Sequence, residues 1–205
     1  NLRCPICFAN AAAAGYVYEP TKEEIVEILK NFRRNLPVAP PALQFSGGEP
    51  TVREDLPELI RAAREVGFTH VEVNTNGIRI ARDVEYFREL MEAGMSTVYL
   101  QFDGLSDDIY EKVRGLPLLE TKLRVLENAR KIGFGSIVLV VTLVRGINDH
   151  QMGDIIRFAL ENSDVVRCVN VQPVSITGRI DRESREKMLS LIHISEPTRP
   201  RLSSY

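Results

Sequence analysis

Scarcity sets the first limits on this chain. It has three cysteines, two of them close together at Cys4 and Cys7 and the third at Cys168, too few and too unevenly placed for the disulfide framework of a small secreted domain. A reducing, cytoplasmic setting is therefore expected. No apolar run approaches the roughly 18 residues needed to cross a bilayer, and the opening residues carry no charged-then-apolar signal segment. Nor is one sign of charge in excess: 26 basic and 28 acidic residues are interspersed and leave a formal net charge of −2. Without a basic stripe, neither nucleic acid nor an anionic membrane surface is an expected partner. Low-complexity segments are absent too. What remains is the make-up of one globular domain, 205 residues that are 44% hydrophobic and 26% charged, enough to bury a single core.

The pattern along the chain alternates helices and strands. TKEEIVEILKNFRRN pairs Thr21 as N-cap with Glu24, a capping box, and places Ile25, Ile28, Leu29 and Phe32 on one helical face. After the Pro-rich PVAPPA comes ALQFSGG, a short strand ending in glycines. DLPELIRAAREVG reads as a helix stopped by Gly67, and HVEVNTNG as a strand with a turn at Asn76-Gly77. VEYFRELMEAG and STVYLQFDG repeat the unit. LLETKLRVLENARKIG leads to SIVLVVTLV, an unbroken apolar run of the kind buried on both faces of a parallel sheet. HQMGDIIRFALEN precedes VVRCVNVQPVS, and DRESREKM starts a further helix. Repeated helix-then-strand units imply parallel strands with right-handed crossovers, in either a doubly wound sheet or a β/α barrel.

Both architectures bind ligands at the C-terminal ends of the strands. Those ends carry Ser46-Gly47-Gly48-Glu49, Asn74-Thr75-Asn76, Gln101 with Asp103, Thr142, and Gln172-Pro173. Strand ends need turn residues in any case, yet five polar ends converging on one rim favour a site. Gly47-Gly48 lets backbone approach a ligand without a Cβ in the way, and Glu49 adds a carboxylate suited to an ammonium group. Asp149 and His150 begin a helix, where Asp149 suits an N-cap. Cys168, inside a strand, is expected to be a buried, inert thiol.

Cys4 and Cys7 stand in C-P-x-C spacing. Thiolates so placed can share zinc in a knuckle, iron in a sulfur cluster, or a thiol-redox couple. A zinc ribbon calls for a second cysteine pair, which the sequence does not have.

Taken together, NLRCPIC, FSGGEP, NTNG, QFDG, VTLVRGIND and VNVQPVS resemble the radical S-adenosylmethionine (radical SAM) enzymes over residues 1–188. NLRCPIC is similar to the stretch after the first cysteine of that family's C-x-x-x-C-x-x-C motif, so that cysteine is expected immediately before Asn1. The resemblance implies an α/β fold, a partial (β/α)6 TIM-like barrel incomplete at both ends. It implies a [4Fe-4S] cluster held by three thiolates and S-adenosyl-L-methionine chelating the fourth iron, cleaved reductively to a 5′-deoxyadenosyl radical that abstracts hydrogen from a substrate. Cys4 and Cys7 correspond to the second and third cluster ligands. Ile6 stands where the family usually has an aromatic that offers only its backbone to adenine. Ser46, Gly47, Gly48 and Glu49 correspond to the loop that holds the methionyl ammonium. Asn74, Asn76, Gln101 and Asp103 are candidates for ribose or carboxylate contacts, and Arg114 for pairing the methionyl carboxylate. A reducing electron donor such as ferredoxin or flavodoxin is the implied partner.

Within the family, CPICFANA, YVYEPT, FSGGEPTVREDLPELI, QFDG and GINDHQMGDIIRF followed by VQPVSITGR resemble the archaeal-type branch that includes tetraether lipid synthases and pterin methyltransferases. The implied substrate is then a lipid or a small molecule. Two other classes stay open: a non-catalytic nucleoside-binding barrel, and a zinc or thiol-redox module using Cys4 and Cys7. Residues 189–199, LSLIHISEPTR, resemble the translation of a transposon-end sequencing adaptor. The expected organisation is a core domain over 1–188 and a non-native tail over 189–205, which leaves His193 without a role. A chain short of one cluster ligand is expected to hold a cluster poorly.

Overall fold

Thr21 opens the first helix with both halves of its capping box formed: its hydroxyl accepts from the Glu24 amide, and the Glu24 carboxylate accepts from the Thr21 amide. The computed structural model describes residues 1–7 and 18–174. Within them, α1 (Lys22–Arg33) is followed by β1 (Ala42–Phe45), α2 (Leu56–Val66), β2 (His70–Thr75), α3 (Ile78–Arg82), α4 (Val84–Glu92), β3 (Thr97–Gln101), α5 (Asp107–Arg114), α6 (Leu119–Ile132), β4 (Ile137–Leu143), α7 (Met152–Glu161) and β5 (Val166–Pro173). Helices α2, α5 and α6 each end on a glycine in the left-handed region, Gly67, Gly115 and Gly133.

All five strands are parallel, and their order in the sheet is their order in the chain. This settles the alternative left by the sequence. A doubly wound sheet reverses its strand order partway. Here the order never reverses, so right-handed crossovers carry every connecting helix to the same face, as in a β/α barrel. Five strands among the described residues make this a partial, TIM-like barrel.

The covered face holds the core. Val71, Val73, Val98, Leu100, Leu139 and Val141 are all buried and pack with Leu56, Ile60, Phe87, Leu90, Leu126 and Ile155 from the helices. The opposite face carries the alternate residues of the same strands, Gln44, Glu72, Asn74, Tyr99, Gln101, Thr142 and Asn170, which the register sets side by side. Gln44 donates to the Glu72 carboxylate at 2.9 Å, and Asn170 donates to the Tyr99 hydroxyl. Burial raises the Tyr99 pKa. β4 is buried along most of its length, as its apolar run implies.

Several expectations are corrected. On α1, Leu29 is buried and Ile25 packs on the core, while Ile28 and Phe32 are half exposed. The helix turns the 25/29 row inward, and the 28/32 row lies one step round its circumference. Cys168 is exposed: it alternates with Val169, pairs with Val138, and so shares the uncovered sheet face with Asn170. Asp149 caps no α-helix: it starts a 3-10 turn, and its carboxylate accepts from the Gly146 amide at 2.9 Å. Helices α3 and α5 are additions to the expected elements, although Ser106, the acidic pair Asp107-Asp108 and the spacing of Ile109 and Val113 mark the start of α5. The helix begun by DRESREKM and the segment 189–205 lie outside the described residues.

Leu139 sits at the middle of β4 with no exposed surface. Leu139→Ala should lower the unfolding free energy by about 2–5 kcal/mol, measured by urea denaturation. A loss near zero would mean that the covered face is not the core.

Candidate active site

The C-terminal ends of the strands surround a cavity of about 390 Å³. Its wall includes Cys4 and Cys7 from the N-terminal segment, Ser46, Gly47, Gly48 and Glu49 after β1, Asn74 and Asn76 at the end of β2, Gln101 of β3, and Arg114 of α5. Thr142 of β4 and Gln172 of β5 also lie on it. Of the site residues expected from sequence, Asp103 alone lies off this wall. His150 is exposed and not part of it.

Glu49 is the hinge between the first two strand ends. Its Oε1 accepts from the Thr51 amide at 3.1 Å, the Thr51 hydroxyl at 2.6 Å and the Thr75 hydroxyl at 2.7 Å. Its Oε2 accepts from the Asn76 amide at 2.7 Å. The carboxylate therefore serves first to tie the glycine loop to β2. The loop itself is open: Gly47 has φ 142°, and a Cβ on either glycine would meet no protein atom within 4 Å.

Asn76 spends every polar group on a different neighbour. Besides its amide bond to Glu49, its Nδ2 donates to Asn1 Oδ1 at 2.8 Å and its Oδ1 accepts from the Ile78 amide at 3.0 Å. Its carbonyl accepts from Lys122 Nζ. The next residue, Gly77, has φ 83° and packs so closely that a Cβ would come within 2.7 Å of Leu100.

The floor of the cavity is ionic. Arg114 donates from Nε and Nη2 to the two oxygens of Asp103 at 2.7 and 2.8 Å, a bidentate pair. Nη2 also donates to the Thr142 hydroxyl at 2.9 Å. Gln101, with its amide oxygen turned to the guanidinium, accepts from Nη1 at 2.9 Å. Asp103 has no exposed surface and takes a further bond from the Thr142 amide at 3.1 Å. Burial works against the Arg114 cation, but Asp103 and the adjacent Cys4 thiol outweigh it and raise its pKa.

Sequence reasoning missed two buried residues that hold this floor. Asn148 bridges the β3 and β4 ends: its Nδ2 donates to the carbonyls of Asp103 and Thr142, each at 2.9 Å. Lys122 has no exposed surface. A signal for it existed, since Lys122 shares its helical stripe with the buried Val125, Leu126 and Ala129. Burial lowers its pKa from 10.5 to about 7, against the pull of Asp103.

Thiols, a bare glycine loop and a buried arginine at the C-terminal ends of parallel β/α strands define the class as a β/α-barrel enzyme site. A sequence model of the Radical SAM superfamily matches residues 1–159, and the chain belongs to that superfamily. Its members hold a [4Fe-4S] cluster and use S-adenosylmethionine. The chain is 56% identical over 184 residues to a 7,8-dihydro-6-hydroxymethylpterin dimethyltransferase of Methanocaldococcus jannaschii, covering 90% of this chain and 36% of that protein. It is 27% identical over 180 residues to a GTP 3′,8-cyclase of Limosilactobacillus fermentum, covering 85% of this chain and 52% of the cyclase. The chain thus spans a third to a half of the length of these relatives. Among solved structures, Streptococcus suis SuiB bound to S-adenosylmethionine superposes with TM-score 0.67 at 18% identity, over 95% of this chain and 42% of SuiB. These matches support neither a non-catalytic barrel nor a zinc or thiol-redox module.

Removing one partner of the buried pair leaves the other charge without compensation. Asp103→Asn should cost about 3–5 kcal/mol in urea denaturation, and Asp103→Asn with Arg114→Met should cost less than the single change. Lys122 gives a pH dependence. The unfolded lysine holds its proton up to its ordinary 10.5 and the folded one releases it near 7. Between those values the unfolded state binds more protons, so stability rises with pH, and the full cost of the buried charge is felt below them. Wild type should therefore gain stability relative to Lys122→Met from about pH 6 to about pH 10; a pH-independent difference would contradict this burial.

Proposed function

We propose that this chain is the cluster- and S-adenosylmethionine-binding core of an enzyme that methylates a reduced pterin. The observation that carries the reading is the 56% identity over 184 residues with the pterin dimethyltransferase, which favours methylation over lipid coupling. The described residues fit the two cofactors. Cys4 and Cys7 present two thiols on one wall; among the described residues no group of three His, Cys, Asp or Glu side chains is gathered, so a third thiolate has to come from outside them.

In this reading the open backbone of Gly47 and Gly48 receives the methionyl ammonium, helped by the lone pair that Glu49 Oε2 retains after its one bond to Asn76. Arg114, held rigid by Asp103, pairs with the methionyl carboxylate. Ser46, Asn74, Asn76 and Gln101 surround the ribose. Asp103 acts through Arg114 and touches no ligand. A bound cluster would supply one electron for reductive cleavage of the S-adenosylmethionine sulfonium. That electron is taken from a small carrier protein of the ferredoxin or flavodoxin kind. Gln44, Glu72, Tyr99 and Asn170 on the uncovered sheet face offer the donors and acceptors that a pterin edge requires. Among the described residues no helix is long and apolar enough to cross a membrane.

Anaerobic loading with iron and sulfide tests the ligand assignment. The wild-type chain, short of a third thiolate, should take up iron weakly and below one cluster per chain, with sulfide-to-iron charge-transfer absorbance, and Cys4→Ala with Cys7→Ala should show none. Equal absorbance in both would refute the assignment. Methyl transfer to a dihydropterin by the longer protein, followed by mass spectrometry, tests the substrate class.

A further inference from the structure

Lys122 makes none of the cofactor contacts proposed above, yet its ammonium is held inside the core. Its hydrogen bond goes to a neutral acceptor, the Asn76 carbonyl, and the Tyr110 ring lies 5.7 Å away. Burying an ammonium against a carbonyl is costly. A methionine would fill the same place on the α6 stripe without that cost. The return for the cost has to be sought in what Asn76 holds.

Asn76 is where three parts of the site meet. Its amide fixes the Glu49 loop, its Nδ2 fixes Asn1 at the head of the cysteine segment, and its Oδ1 closes its own turn. Those three bonds stay among the loops at the strand ends. The carbonyl is the handle reached from α6, and Lys122 takes it. We propose that Lys122 is a positioning residue of this site: by holding the Asn76 carbonyl from within the core, it sets the β2 turn from which the Glu49 loop and the cysteine-bearing segment are both hung.

The charged and titratable groups that face the ammonium come from every element around it. Asp103 after β3, Glu49 after β1 and Cys4 in the N-terminal segment favour the cation; burial and Arg114 on α5 oppose it. Lys122 thus senses the same groups that line or floor the cavity, so loss of its charge should be felt at the rim and not only at the contact.

Two measurements test this, and only the first rests on the cavity being the S-adenosylmethionine pocket. Lys122→Met keeps the volume and removes the donor. In calorimetric titrations of the chain with S-adenosylhomocysteine, this variant should bind about ten-fold or more weakly, the scale of one lost charged hydrogen bond, while melting at or above the wild-type temperature. Equal affinity in the two proteins would overturn the proposal. If wild type itself fails to bind, it is the pocket reading that falls, and the second measurement decides on Lys122. That one uses wild type alone. The Gly77 amide nitrogen, bonded to the Asn76 carbonyl carbon, should follow the Lys122 side-chain titration by NMR, with a midpoint near 7. The Thr51 amide, bonded to Glu49, should move with the same midpoint. Movement of both supports the positioning role; a still Gly77, or movement at Gly77 alone, would overturn it.

Discussion

The strand order constrains everything else in this protein. Each right-handed crossover steps to the next strand in the same direction, so the connecting helices pile onto one face and, among the described residues, leave the other without a helix. The covered face can then be filled with valine, leucine and isoleucine. The bare face must satisfy polar groups among themselves or leave them to a ligand. The same strands supply both faces because side chains alternate: Val71 and Val73 point into the helices, while Glu72 and Asn74 point away. The cavity sits where that bare face meets the strand ends.

Charge is concentrated where the cavity meets the core. Asp103, Arg114, Lys122 and Glu49 are all buried or nearly so. Such groups rarely add stability over an apolar filling. Here each is tied to backbone or hydroxyl groups from a neighbouring strand end: Glu49 to β2, Asp103 to Thr142 of β4, Asn148 to the ends of both β3 and β4. The outcome is a rim whose loops are fixed relative to one another before any ligand arrives, which lowers the ordering cost of binding.

Much of the architecture was legible from local chemistry. The Thr21 capping box, the glycine stops after α2 and α6, and the apolar run of β4 are dictated by residues a few positions apart, and each formed. The polar strand ends were legible as a group for the same reason: turn-forming residues follow each strand at a regular interval. Errors arose wherever burial depended on the neighbour. Cys168 has the sequence context of a core strand, but the strand register turns it to the uncovered face with Asn170. Ile28 and Phe32 share an apolar arc with Leu29, and only the seating of α1 shows which row turns inward.

The sequence by itself determined the element types, the β/α rhythm and the family, since these rest on periodicity and on short motifs such as CPIC, SGGE and NTNG. Tertiary structure alone decided what each polar residue does. Asp103, taken as a cofactor contact, lies beneath the cavity as the counterion of Arg114, and Lys122, whose place on the α6 stripe marked it as buried without naming a partner, is sealed behind Asn76. The physical reason is that a charge's role follows from its desolvation and its partners. Those partners come from other elements, 11 positions away for Asp103 and Arg114 and 46 for Lys122 and Asn76, and are set only once the strands lie side by side.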